Sequence, residues 1–165
     1  PALYAKLPYQ TLRDFVPVSR TAMQPLVFLV NPGLPVKSLP EFIQYAKAHA
    51  GLINYGSAGN ASAGHLAMEY LKLVTGMSIT HIPYRGAGPA MQDTIAGNVP
   101  SMFDSLPSAA PHIKAGKVRA LAVSGSERNP SFPDVPTMKE QGFPDLVSYS
   151  WFGLSGPANL PAPIV

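Results

Sequence analysis

An α/β fold on a parallel sheet is predicted by three observations. Short apolar, β-rich runs recur at Leu52 to Tyr55, Ser78 to Ile82 and Val99 to Phe103, each followed by a small-residue loop and then a segment with helical spacing. Parallel neighbours cannot be joined by hairpins, so such units in series require helical crossovers. The 14 glycines and 19 prolines fall between the runs without a threefold period, so they punctuate many short elements and do not make a collagen or low-complexity chain. Charged residues are 13% and apolar residues 46%, which excludes a coiled coil or a highly charged disordered chain, and 165 residues suffice to bury a real core.

In chain order, an irregular opening leads to Gln24 to Val30, a buried strand closed by the turn Asn31-Pro32-Gly33. The period then changes. Ser38-Leu39-Pro40-Glu41 has capping-box spacing, and Leu39, Phe42, Ile43 and Ala46 form one helical face that ends at Gly51. The strand at Leu52 passes through the loop Gly56 to Ala61 into a helix from about Ser62 to Thr75, its apolar face carrying Leu66, Tyr70, Leu71 and Val74. The next unit joins Ser78 to Ile82, through Pro83-Tyr84-Arg85-Gly86, to a helix from Pro89 to Ala96. Val99 to Phe103 leads through Asp104-Ser105 to a helix from about Leu106 to Ala115. An apolar strand, Val118 to Ser124, follows, then a Pro-rich stretch, a short helix and an aromatic strand, Ser148 to Leu154.

This pattern divides the chain into three parts. Residues 31–117 form a complete α/β lobe, residues 1–30 contribute part of another lobe and a first crossover strand, and residues 118–165 give the second crossover strand and the return. The chain opens on Pro1, and Leu160 to Val165 read as the start of a helix, so a piece of a longer protein is expected.

Several function classes are excluded or unsupported. Twelve basic against nine acidic residues give a net charge of +3 with no basic run, so no nucleic-acid partner is expected. The absence of cysteine removes thiol catalysis, zinc-thiolate sites and disulfides. Leu26 to Val30, the longest strictly apolar run, is far short of the roughly 20 residues that cross a bilayer. In the loop Gly56 to His65, Gly64 is followed by His65 and Leu66 where a phosphate-binding loop needs Lys and Ser or Thr. Gly56-Ser57-Ala58-Gly59 lacks the first half of a hydrolase nucleophile elbow, and no His, Asp or Glu pair has metal-ligand spacing. No catalytic residue, cofactor or metal is expected.

Binding is what the loops suit. Ligands of open α/β sheets sit beyond the carboxyl ends of the strands, where each loop delivers backbone N–H groups at a helix N-terminus. That edge comprises Gly56 to Ser62, Pro83 to Gly88, and Asp104 with Ser105, and the ligand contacts expected on it are Ser57, Ala58, Gly59, Asn60, Ala61, Ser62, Tyr84, Arg85, Gly86 and Asp104. The first segment is small and hydroxyl-rich, so its backbone and the side chains of Ser57, Asn60 and Ser62 can approach an anionic oxygen; a helix cap is the plain alternative. Arg85 is the cation on that edge and either pairs with a carboxylate or clamps a turn, while Asp104 either accepts from a ligand or caps a helix. Trp151 reads as a core anchor of the other lobe.

The motifs Asn54-Tyr55-Gly56-Ser57-Ala58-Gly59, His65-Leu66-Ala67, His81-Ile82-Pro83-Tyr84-Arg85-Gly86, Met102-Phe103-Asp104, Pro111 to Lys117, Arg119 to Val123 and Pro133-Asp134-Val135-Pro136-Thr137 resemble those of the Bug/TctC family, in family order. These are solute-binding receptors associated with tripartite tricarboxylate transporters. The resemblance implies a type II periplasmic binding protein with two hinged lobes, the first incomplete here, holding a small carboxylate. It implies a monomer that hands a dicarboxylate, tricarboxylate or related acid to membrane subunits, with Gly56 to Ser62 as the second-lobe anion loop. Ala61 departs from a frequent family glycine, and Pro100 from a common acidic residue. The alternatives are the ligand-sensing effector domain of a LysR-type regulator, a cysteine-requiring enzyme such as porphobilinogen deaminase, against which the lack of cysteine argues, and a lone structural module.

Overall fold

The computed structural model describes residues 6–165, so the first five residues of the expected front segment lie outside it. Two compact units are present. One comprises Gln24–Ser150, and the other the described residues up to Met23 together with Trp151–Val165.

The larger unit is built on the apolar half of β1 (Phe15–Val30), where side chains alternate between two cores. Leu26, Phe28 and Val30 enter a cluster with Phe42, Tyr55 and Phe103, whereas Val27 and Leu29 enter a second with Met91, Met102 and Leu106. Both faces of this strand are covered, which is why it reads as an unbroken apolar run. The Phe28 ring packs 4.8 Å from Phe42 and 5.0 Å from Phe103.

After α1 (Thr11–Asp14) and β1 come α2 (Leu39–Ala48), β2 (Asn54–Ser57), α3 (Ala63–Thr75), β3 (Thr80–Pro83), α4 (Ala87–Ala96), β4 (Ser101–Ser105), α5 (Leu106–Lys114), β5 (Arg119–Val123) and β6 (Tyr149–Pro157). Sheet order is β3-β2-β4-β1-β5. Strand β2 is parallel to β3 and β4, as three strand-loop-helix units require, but β1 runs antiparallel to both β4 and β5. The sheet is therefore mixed, because the chain enters the unit through β1 and passes its neighbours in the opposite direction.

Helix α2 has the expected cap and face. Ser38 accepts from the Glu41 amide at 3.3 Å, and Leu39, Phe42, Ile43 and Ala46 are buried. Helix α3 differs from expectation: Gly64, Ala67, Met68 and Leu71 face inward, while Leu66 is 56% exposed and Tyr70 and Val74 also face out. The cause is Gly64. A Cβ there would lie 2.5 Å from the Phe103 carbonyl oxygen, so the helix lies against β4 on its glycine side and turns its neighbours outward.

The strands β2, β3 and β4 each begin about two residues later than their apolar runs suggest, because Leu52 is spent in a turn onto the His49 carbonyl and the ladder runs on through Gly56 and Ser57. The expected short helix is a single 3-10 turn, Lys139–Gln141.

In the smaller unit β1 begins at Phe15, well before the apolar run, and pairs with β6; Thr21 donates to the Phe152 carbonyl at 3.2 Å. Trp151 is 68% exposed and does not anchor a core among the described residues. No helix among them is long and apolar enough to cross a membrane.

Candidate functional site

The carboxyl edge of the larger unit's sheet is shaped by two loops tied together through their backbones. The Tyr84 amide donates to the Ser57 carbonyl at 3.0 Å, and the Gly86 amide donates to the Ala58 carbonyl at 3.1 Å. Residues 57–62 and 84–86 thus form one ridge. Gly59 permits the crossing: its φ is 128°, and a Cβ would sit 3.2 Å from the Tyr84 carbonyl oxygen.

Ser57 is fully buried. Its hydroxyl accepts from the Gly59 amide at 3.1 Å, lies 3.1 Å from the Gly59 carbonyl, and lies 2.6 Å from His81 Nε2. With Nε2 protonated all three contacts are hydrogen bonds, since the single serine proton goes to the carbonyl. Ser57 therefore braces the loop from beneath, rather than offering the exposed donor that its place in the sequence suggests.

Ala61 has φ 60°, a left-handed conformation that explains why glycine suits this position, and its amide donates to His65 Nδ1 at 2.9 Å. Ser62 caps α3, accepting from the His65 amide at 3.3 Å, and its own amide donates to the Gly59 carbonyl. Of the amides expected to face an anion, those of Gly59, Ala61 and Ser62 are spent inside the loop. The amides of Ala58, Asn60, Ala63 and Gly64 have no acceptor among the described residues. The side chains of Asn60 and Arg85 are exposed and likewise without a partner among them.

Tyr84 turns away from the loop and donates to Asp93 Oδ2 at 2.6 Å. Burial and this carboxylate push its hydroxyl up to about 12, and the same bond, with one from Asn98, holds Asp93 low.

Asp104, the penultimate residue of β4, lies opposite Val27 and alternates with Phe103, so it shares the Met102 face, whereas Ser57 shares the Tyr55 face. The two lie on opposite sides of the sheet edge. Asp104 is buried; Oδ1 accepts from the Ser105 amide at 2.7 Å, and Oδ2 has no partner among the described residues. Burial pushes its carboxyl up, opposed by the Ser105 amide, the Ser108 hydroxyl and His112.

A cluster that no sequence motif announced lies beneath the ridge. The His65 and His81 rings stack at 4.0 Å, and Tyr55 stacks on His81 at 4.9 Å. The Tyr55 hydroxyl donates to Glu69 Oε1 at 2.5 Å, which also receives Lys72 at 2.7 Å. Burial pushes Tyr55 up, with Glu69 adding to it. Burial alone would raise Glu69, but the bonds from Lys72 and Tyr55 outweigh it and leave the carboxyl low. Burial lowers His81, helped by His65 and Lys72 and opposed by Glu69. The available signal was the spacing of His65, Glu69 and Lys72, which places them on one helical face, together with the in-register pairing of Tyr55 with His81. No group of three or more possible metal ligands occurs among the described residues.

Comparison with known proteins places the chain in a family. A family model described as the tripartite tricarboxylate transporter family receptor matches residues 1–165. Protein BugT of Bordetella pertussis is 38% identical over 164 residues, covering 99% of this chain and 50% of that protein. MatC of Rhodopseudomonas palustris, solved with bound malate, has a TM-score of 0.90 at 36% identity, covering 99% of this chain and 55% of its own. A second R. palustris protein, solved with adipate, gives 0.93 at 36%, covering 98% and 54%. The chain spans about half the length of the curated relatives it matches. The fold is that of periplasmic binding proteins, and the family is one of receptors, not enzymes. The chain belongs to the tripartite tricarboxylate transporter (TctC) receptor family.

Proposed function

We propose that this chain is part of an extracytoplasmic receptor, working as a periplasmic monomer, that captures a small organic dicarboxylate and delivers it to the membrane subunits of a tripartite transporter. One ligand carboxylate rests at the start of α3, where the unpartnered amides of Ala58, Asn60, Ala63 and Gly64 meet the positive end of the helix dipole. That set of free donors is the observation that carries the reading. The Asn60 side chain adds a donor and Arg85 a cation at the same ridge, Tyr84 and Gly86 hold the second loop in place, and Ser57, Ala61 and Ser62 shape the first. Asp104, a candidate contact by sequence, is buried on the far side of the sheet edge, so the ridge carries the reading without it. Residues 31–117 are the core of the second lobe, with Leu26 to Val30 and Val118 to Ser124 as its crossover strands; the adjacent, antiparallel pairing of β1 and β5 supports that assignment.

MatC with malate and its neighbour with adipate make dicarboxylates the class to test. Family membership favours a receptor over a LysR-type effector domain. Isothermal titration of the full-length receptor with malate and adipate decides. Binding of either acid, weakened by Arg85→Ala at unchanged melting temperature, is the expected result. Heatless titrations with both acids contradict the reading.

A further inference from the structure

We propose that His65 and His81 are positioning residues of the anion loop: each binds a loop group from beneath, and the amides between those anchors are thereby left facing outward. This rests on the receptor reading above. His65 Nδ1 takes the Ala61 amide at 2.9 Å, and His81 Nε2 holds Ser57 Oγ, which in turn takes the Gly59 amide at 3.1 Å. Alternate amides of the loop are thus drawn inward, at Gly59 and Ala61. Those of Ala58 and Asn60, whose peptide planes lie between, are the ones without acceptors. A chain that satisfied every amide internally would present nothing to a carboxylate.

The arrangement requires particular protonation. An Nδ1 that accepts from Ala61 carries no proton, so His65 is the neutral Nε2–H tautomer. Its partner ring at 4.0 Å cannot carry a second charge without repulsion, and a cation at the first turn of α3 opposes the helix dipole. The other groups facing the pair are Tyr55 on β2 and Glu69 and Lys72 on α3. Tyr55 stays neutral, and the Glu69 and Lys72 charges compensate one another.

Hydrogen exchange at the Ala61 amide in the ligand-free, full-length receptor reads the device directly. Corrected for intrinsic rates, the Ala61 amide is protected in the wild type, because Nδ1 accepts its hydrogen. His65→Asn puts an oxygen near the Nδ1 position and keeps that protection. His65→Phe keeps the ring stack without the acceptor and loses protection at least about tenfold. An unprotected Ala61 in the wild type, or a protected one in His65→Phe, overturns the proposal.

Affinity for malate or adipate supplies the second arm. His65→Phe and His81→Leu weaken binding about tenfold, whereas His65→Asn and His81→Gln stay within about threefold of wild type. In a Ser57→Ala background, His81→Leu adds nothing further, because the serine through which it acts is gone. An equal loss with and without Ser57 would assign His81 to packing and sink its part of the proposal. Should the wild type bind neither acid, the receptor reading fails, and exchange at Ala61 still decides the loop geometry.

Discussion

His81 Nε2 lies 2.6 Å from the Ser57 hydroxyl, two side chains that come from neighbouring parallel strands and share one face of the sheet. The pair resembles half of a hydrolytic triad, yet the serine is sealed from solvent and its remaining contacts go to its own loop. A nucleophile must reach substrate. Here the pair shapes a backbone.

The histidine makes stability depend on pH. Burial lowers His81 below the ordinary imidazole value, so the unfolded chain binds its proton more readily than the folded one. The stabilisation of the neutral ring is complete above about pH 6.5 and is lost as pH falls from there through the folded value. Urea midpoints measured at pH 7.5, 6.5 and 5.5 should fall with acidification, and the His81→Gln variant should show a shallower fall. Equal slopes in the two proteins would remove His81 as the cause.

Asp104 carries the opposite sign. Burial raises its carboxyl, so its contribution to stability is present at acid pH and is lost as pH rises through the folded value. At pH 7 Asp104→Asn, which keeps an acceptor for the Ser105 amide, should stabilise the protein by up to about 1 kcal/mol. The gain should shrink towards pH 3.5. A destabilised Asn variant at neutral pH would mean that the charge has a partner worth more than its burial.

Gly64→Ala should destabilise by about 1 to 3 kcal/mol, since the new Cβ starts 2.5 Å from the Phe103 carbonyl and α3 must move off β4. Chemical denaturation checks it. An unchanged midpoint would show that the helix shifts freely.

Ala61→Gly should do the reverse. Left-handed backbone disfavours alanine by roughly 1 to 2 kcal/mol, and the entropy of an added glycine returns about half of that, leaving a gain of about 0.5 kcal/mol. A lower melting temperature for the glycine variant would contradict this.

Much of this was legible in the sequence where a local rule acts alone. Ser38 and Glu41 announce the start of α2, and the glycines at 76 and 97 end α3 and α4 in left-handed conformations. The loop at residues 57–62 was legible as a candidate site because small residues leave a strand end and enter a capped helix. What was not legible depends on partners distant in sequence. Gly64 rotates α3 by meeting Phe103, which periodicity within the helix cannot reveal. β1 runs antiparallel to β4 and β5 because of the path by which it enters the unit, and no residue within it marks that direction. The inward turn of the Gly59 and Ala61 amides needs His81 and His65, and only the register of β2 with β3 brings His81 beneath the loop.

A crystal structure of the full-length receptor grown with malate shows whether a carboxylate occupies the unpartnered amides at the start of α3. A carboxylate oxygen should lie within about 3.2 Å of at least two of the amide nitrogens of Ala58, Asn60, Ala63 and Gly64, with the Asn60 or Arg85 side chain turned towards it. Malate bound with neither carboxylate on those amides would contradict it.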